Sequence, residues 1–150
     1  MLFDAADEEL RVVLGAFDVA EERSFPVQIH TGINDRGISN TIGEYLPYCH
    51  RFPELHIDLA HGKPHEDVPA VLDEFPHVYV DTAFVSTQTV NAWLDTGVDE
   101  RRIMFGSDLP APQRHEKTSL TTYVRRESGG ISSQNILTDN AKRFLRMQLS

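Results

Sequence analysis

Along this chain the apolar positions switch repeatedly between a helical period and the alternation of a strand. Between Asp7 and Glu22, Leu10, Val13, Leu14 and Phe17 fall on one helical face with acids on the other, predicting an amphipathic helix. Residues 24–30 read as a short strand ended by Thr31-Gly32. Ile38, Ile42, Tyr45, Leu46 and Cys49 return to helical spacing, with Pro47 kinking or restarting that helix. Residues 55–60 form a second strand, and Val68, Val71, Leu72 and Phe75 mark the next helix. Residues 77–81 make a third strand; Val90, Trp93 and Leu94 lie on a helix closed by Gly97; residues 103–106 make a fourth strand. The tail ends in a helix from about Gln134 that buries Leu137, Ala141, Phe144 and Leu145.

Strands separated by single helices imply parallel βαβ units, because a parallel return needs a crossover of that length. No glycine-rich phosphate loop of the GxGxxG or P-loop kind is present, so a nucleotide-binding sheet has no positive support. In a (β/α)8 barrel the working residues sit at the carboxyl ends of strands, and His30, His61 and Asp108 all fall there. The expected fold is α/β: a partial TIM barrel, with four of the eight strands visible.

His30, His61 and Asp108 are the candidates for chemistry. Two imidazoles and a carboxylate are groups that hold a divalent ion and act on its water. In the alternation of the first strand, Val27 and Ile29 face helices while Gln28 and His30 face the barrel mouth. The competing reading of His30 is a histidine capping a loop carbonyl. His61 runs in phase with Leu55, Ile57 and Leu59, so alternation alone does not aim it at the mouth. His65 is assigned to the surface or rim, because Pro64 interrupts any helix through His61. Asp108 is either a turn former or a carboxylate that binds metal and accepts a proton. Asp81 is a weaker candidate with a structural hydrogen-bonding role. His50, His56, His77 and His115 default to surface or satisfied core positions, and no HExxH motif occurs. The loop over residues 109–122 is long enough to line a pocket, where Arg114 or His115 could meet a carboxylate, but a solvated loop is the favoured reading.

Composition narrows the setting. The chain fits one domain of 150 residues, 40% hydrophobic and 25% charged, as in ordinary globular proteins. A net charge of -9 with scattered basic residues repels a nucleic-acid backbone. A single cysteine, Cys49, rules out an intrachain disulfide. No apolar run approaches the ~20 residues that cross a bilayer. With an acidic start lacking the basic region of a signal peptide, the expectation is a cytoplasmic protein without membrane or nucleic-acid partners.

Five ordered blocks resemble the carboxyl-terminal half of the amidohydrolase-related (amidohydrolase 2) family of metal-dependent hydrolases and decarboxylases. They are Pro26-Val27-Gln28-Ile29-His30-Thr31-Gly32, Phe52-Pro53-Glu54-Leu55 running into Asp58-Leu59-Ala60-His61-Gly62, Phe75 through Thr82, Gly97 through Pro110, and Asn140-Ala141-Lys142-Arg143-Phe144-Leu145. The resemblance covers nearly the whole chain and implies strands five to eight of the barrel, so that residues 1–150 form its carboxyl-terminal half. By that likeness His30 is a metal ligand, His61 a second ligand or the catalytic imidazole, and Asp108 a ligand and general base. The implied cofactor is a divalent metal, foremost zinc, with manganese or another ion as alternatives. Two departures stand out. Lys63 occupies a position where the family often has a second glycine, and none of the seven histidines is followed two residues later by another, as the family's His-x-His pair requires.

The implied function is hydrolysis of a small carbonyl, amide, ester or lactone substrate by metal-activated water, once an amino-terminal half is supplied. Two alternatives stay open. One is non-oxidative decarboxylation of a small or aromatic acid. The other is a non-catalytic half barrel that dimerises or binds a partner, with a complementary barrel half or a second copy as the candidates.

Overall fold

The computed structural model describes residues 5–33, 37, 39–108, 131 and 133–147. Ile38 and the loop over residues 109–122, with Pro110, Arg114 and His115, lie outside the described residues, as does the side chain of Leu10. Helix α1 (Ala5–Glu22) leads into strand β1 (Val27–His30), followed by a small antiparallel pair, β2 (Gly32–Ile33) and β3 (Ser39–Asn40). Then come α2 (Leu46–Arg51), β4 (Ile57–Ala60), α3 (Val68–Glu74), β5 (Val78–Asp81), α4 (Thr87–Asp95), β6 (Ile103–Met104) and α5 (Asn140–Phe144). β1, β4, β5 and β6 form one parallel sheet in that spatial order, with Gln28 opposite Asp58 and Asp58 opposite Tyr79. Unbroken parallel order with a helix in each main crossover is the arrangement of part of a (β/α)8 barrel.

One face of this sheet is apolar and covered. Ile57, Leu59, Val78, Val80 and Ile103 join Phe17, Phe52, Val68, Leu72, Val90 and Trp93 in a single buried cluster. Arg102 fastens the carboxyl end of α3 to this layer, donating to the carbonyls of Phe75, at 2.7 Å, and Leu72. The other face carries Gln28, His30, Asp58, Tyr79 and Asp81, with Phe144 packed against Tyr79 and His56 at its amino-terminal end.

Several elements depart from the sequence pattern. The hairpin β2–β3 stands at the start of the stretch expected to be helical, and residues 42–45 form a tight 3-10 turn. Pro47 sits in the first turn of α2, where its missing N–H costs nothing, so it starts a helix rather than kinking one. Val13 is 41% exposed and Leu145 is 52% exposed, whereas Ile136 is buried. The last helix begins with a π-turn, Asn135–Asp139, which rotates the helical face and explains the substitution of Ile136 for Leu145.

Candidate functional site

The carboxyl ends of the four parallel strands open onto a cavity of about 410 Å³ that includes Gln28, His30, His61, Asp81 and Asp108 in its lining. His30 is the last residue of β1, on the exposed side of an alternating strand, as its phase predicts. Buried Thr31 fixes this end: its hydroxyl donates to the carbonyl of Ala60 at 2.6 Å and accepts the N–H of Lys63 at 2.8 Å. Thr31 thereby ties the strand end to the loop after β4.

His61 reaches the same cavity by a different route. Its φ of 70° is left-handed, so alternation stops at Ala60 and the side chain turns away from the apolar face that Leu59 occupies. The phase conflict in the sequence is resolved by that single backbone reversal. The ring, 6% exposed, stands edge-on to His30 with centroids 4.9 Å apart. Its Nδ1 lies 3.3 Å from the carbonyl of Ala83, which can only accept, so Nδ1 is the donor of that bond.

Asp81 has the structural hydrogen-bonding role expected of it. It ends β5, and its Oδ1 accepts the N–H groups of His61 at 3.2 Å and Ala83 at 2.9 Å. It thus has a structural role and also lines the cavity. Burial pushes its carboxyl above the usual range; the two backbone donors oppose that shift and the charge of Asp108 reinforces it. Deeper on the same face, Gln28 donates from Nε2 to Asp58 at 2.7 Å and reaches Asp81 at 3.5 Å.

Asp108 is exposed on the rim, with a left-handed φ of 49°, a conformation that aspartate tolerates. Among the described residues, the loops after β4, β5 and β6 each hold one such non-glycine residue: His61, Phe84 (φ 58°) and Asp108. Left-handed backbone in a bulky residue costs on the order of 1–3 kcal/mol and concentrates where function demands it. Phe84 was not singled out from sequence, because Asp81-Thr82-Ala83-Phe84 carries no signal beyond a strand end.

Among the described residues the remaining histidines divide as expected, with one correction. His56 Nδ1 meets the carbonyl of Phe144, His77 Nε2 meets that of Cys49, and His50 pairs with Glu74 on the surface. His65 is not a rim residue: it is half-buried, edge-on to Trp93, with a buried Nε2 that lacks a partner.

The donor types suit a divalent ion, and the geometry does not complete a site. Among the described residues, no three His, Cys, Asp or Glu side chains converge on a point that could hold a metal. His30, His61 and Asp108 share one cavity, yet a metal there needs donors beyond this set.

The family model described as Amidohydrolase matches residues 3–147. Two solved structures are similar in fold. An uncharacterized TIM-barrel protein from Bordetella bronchiseptica aligns with TM-score 0.62 and 18% identity, over 89% of this chain and 50% of that one. An amidohydrolase 2 from Bifidobacterium longum subsp. infantis aligns with TM-score 0.64 and 15% identity, over 88% of this chain and 54% of its own length. The chain thus spans about half the length of both. No curated protein matches it. Among the described residues no helix is long and apolar enough to cross a membrane.

Proposed function

This chain belongs to the amidohydrolase family, and from that membership we propose that it forms one side of a hydrolytic site for a small amide, ester or lactone. What supports the reading is the meeting of His30 and His61, rings 4.9 Å apart, in the cavity that also receives Asp108. A divalent metal, zinc foremost, would supply a water of lowered pKa and polarise the substrate carbonyl. The donors that complete its coordination come from a complementary barrel half, whether on a second polypeptide, a second copy or a longer chain.

This chain's own residues then have separate tasks. The carbonyl of Ala83 engages Nδ1 of His61 and so leaves Nε2 as the ring nitrogen for the metal or the substrate. Asp81 fixes the loop that carries His61 by taking its backbone N–H. Asp108 takes the proton from the attacking water, and its rim position lets it return that proton to the leaving group.

Co-expression with a barrel half bearing a His-x-His pair tests this. The pair should retain stoichiometric metal on dialysis and hydrolyse aryl esters or lactones. Asp108→Asn should lower kcat by roughly 10²–10⁴ while changing metal affinity far less. An unchanged rate removes Asp108 as the base, and release of CO2 from a carboxylic acid without hydrolytic turnover replaces the reading with decarboxylation.

A further inference from the structure

The side-chain amide of Gln28 has its two ends sorted by its neighbours. Gln28 stands on β1 opposite Asp58, on the face of the sheet that also carries His30. It reaches two carboxyls there, Oδ2 of Asp58 at 2.7 Å and Oδ2 of Asp81 at 3.5 Å. Carboxylates only accept, so the end of the amide turned to them is Nε2, which has two protons to give. Oε1 is thereby turned away from both acids, and no described residue donates a hydrogen bond to it.

Gln28 is exposed and lines the cavity at the strand ends together with His30, His61, Asp81 and Asp108. Other polar atoms around that cavity are committed. Oδ1 of Asp81 takes the N–H groups of His61 and Ala83, and Nδ1 of His61 is engaged by the carbonyl of Ala83. Oε1 of Gln28 is left as a neutral acceptor whose direction is fixed from behind. It lies two residues below His30 on the strand, ~6–7 Å toward the floor. An N–H donor complements such an oxygen, whereas an ester oxygen would set lone pairs against lone pairs.

We propose that Gln28 is the specificity-determining residue of this site, accepting at Oε1 the N–H of an open-chain secondary amide. The open chain follows from geometry, because N–H and C=O point in opposite directions in a trans amide. An N–H aimed at Gln28 then sends the carbonyl back toward His30 and His61 at the strand ends. A lactam, held cis, points both groups the same way, and an ester or lactone has no N–H to give. This assignment rests on the hydrolytic reading for its reaction and narrows its substrate, while the binding step stands apart from turnover.

The test compares N-butylacetamide with butyl acetate, which has the same shape with oxygen in place of N–H. Dissociation constants come from NMR titration of the full chain, followed at residues of the cavity. The pH is 8.5, where Asp58, pushed up to about 7, is a carboxylate and can only accept. Comparing the amide-to-ester ratio between wild type and Gln28→Met isolates the N–H contact from differences in solubility. Gln28→Met should shift that ratio against the amide by roughly threefold to tenfold, the worth of one neutral hydrogen bond. N-butyl-N-methylacetamide, which has no N–H, should show no such shift. Gln28→Asn is a methylene too short to reach and should show the same loss, which keeps the test decisive if the methionine variant does not fold. An unchanged ratio in a folded variant, or no saturable binding of the amide at the cavity, overturns the proposal. A shifted ratio without hydrolysis, even when a complementary half is present, supports the role of Gln28 and counts against the hydrolytic reading instead.

Discussion

Gln28 donates from Nε2 to Oδ2 of Asp58 at 2.7 Å, while Oδ1 of the same buried carboxyl has no partner. Burial, assisted by the charge of Asp81, pushes Asp58 up to about 7 from an ordinary 3.8, against the opposing bond from Gln28. A carboxyl raised in the folded state keeps a proton that the unfolded chain releases. Its contribution is therefore greatest at low pH and declines as pH rises from about 4 to about 7, with no further loss above that. Asp58→Asn is uncharged throughout and keeps an acceptor for Gln28. Urea denaturation at several pH values should show the variant gaining on the wild type across this window, ending ~1–3 kcal/mol ahead at alkaline pH. Parallel pH curves for the two proteins would refute the assignment.

Gly62 follows His61 with φ +54°, and a methyl group there would come within 2.7 Å of Val80 Cγ2 and 3.0 Å of Val68 Cγ2. Those atoms belong to the sheet and to α3, so neither yields freely. Gly62→Ala combines overpacking with a left-handed alanine and should destabilise by ~2–4 kcal/mol. The urea midpoint should fall with an unchanged slope. A midpoint equal to that of the wild type would show that the loop relocates at no cost.

The order and type of the large elements were legible because the apolar positions repeat at helical and strand periods and the turns carry Gly or Pro. His30 could be aimed correctly from Val27 and Ile29, since a strand alternates up to its last residue. His61 could not: its direction depends on one left-handed φ, and histidine gives no sequence cue for that conformation. The structural role of Asp81 was anticipated, but its partners were not, because only the folded loops bring the two backbone N–H groups to it. Asp58 interrupts an otherwise apolar strand and stood in plain view, yet its partner Gln28 becomes apparent only when β1 and β4 are placed side by side. The π-turn before α5 shifted the buried face by a residue that no periodicity could announce.

Gly106 offers a way to disturb the site without touching any residue that performs chemistry. It follows β6, and a methyl group on it would lie 2.7 Å from Cγ and 2.8 Å from Oδ1 of Asp81. The backbone of Gly106 is not left-handed, so alanine is tolerated there conformationally. The collision falls instead on the carboxylate that holds the N–H groups of His61 and Ala83. Gly106→Ala should therefore cost only ~1–3 kcal/mol of stability, as overpacking of one methyl does, while releasing the His61 loop. NMR gives the readout: the contact between the rings of His30 and His61 should weaken or vanish in a variant that still unfolds cooperatively. An intact ring contact in Gly106→Ala would mean that Asp81 yields without consequence and that His61 is held in place by the Ala83 carbonyl alone.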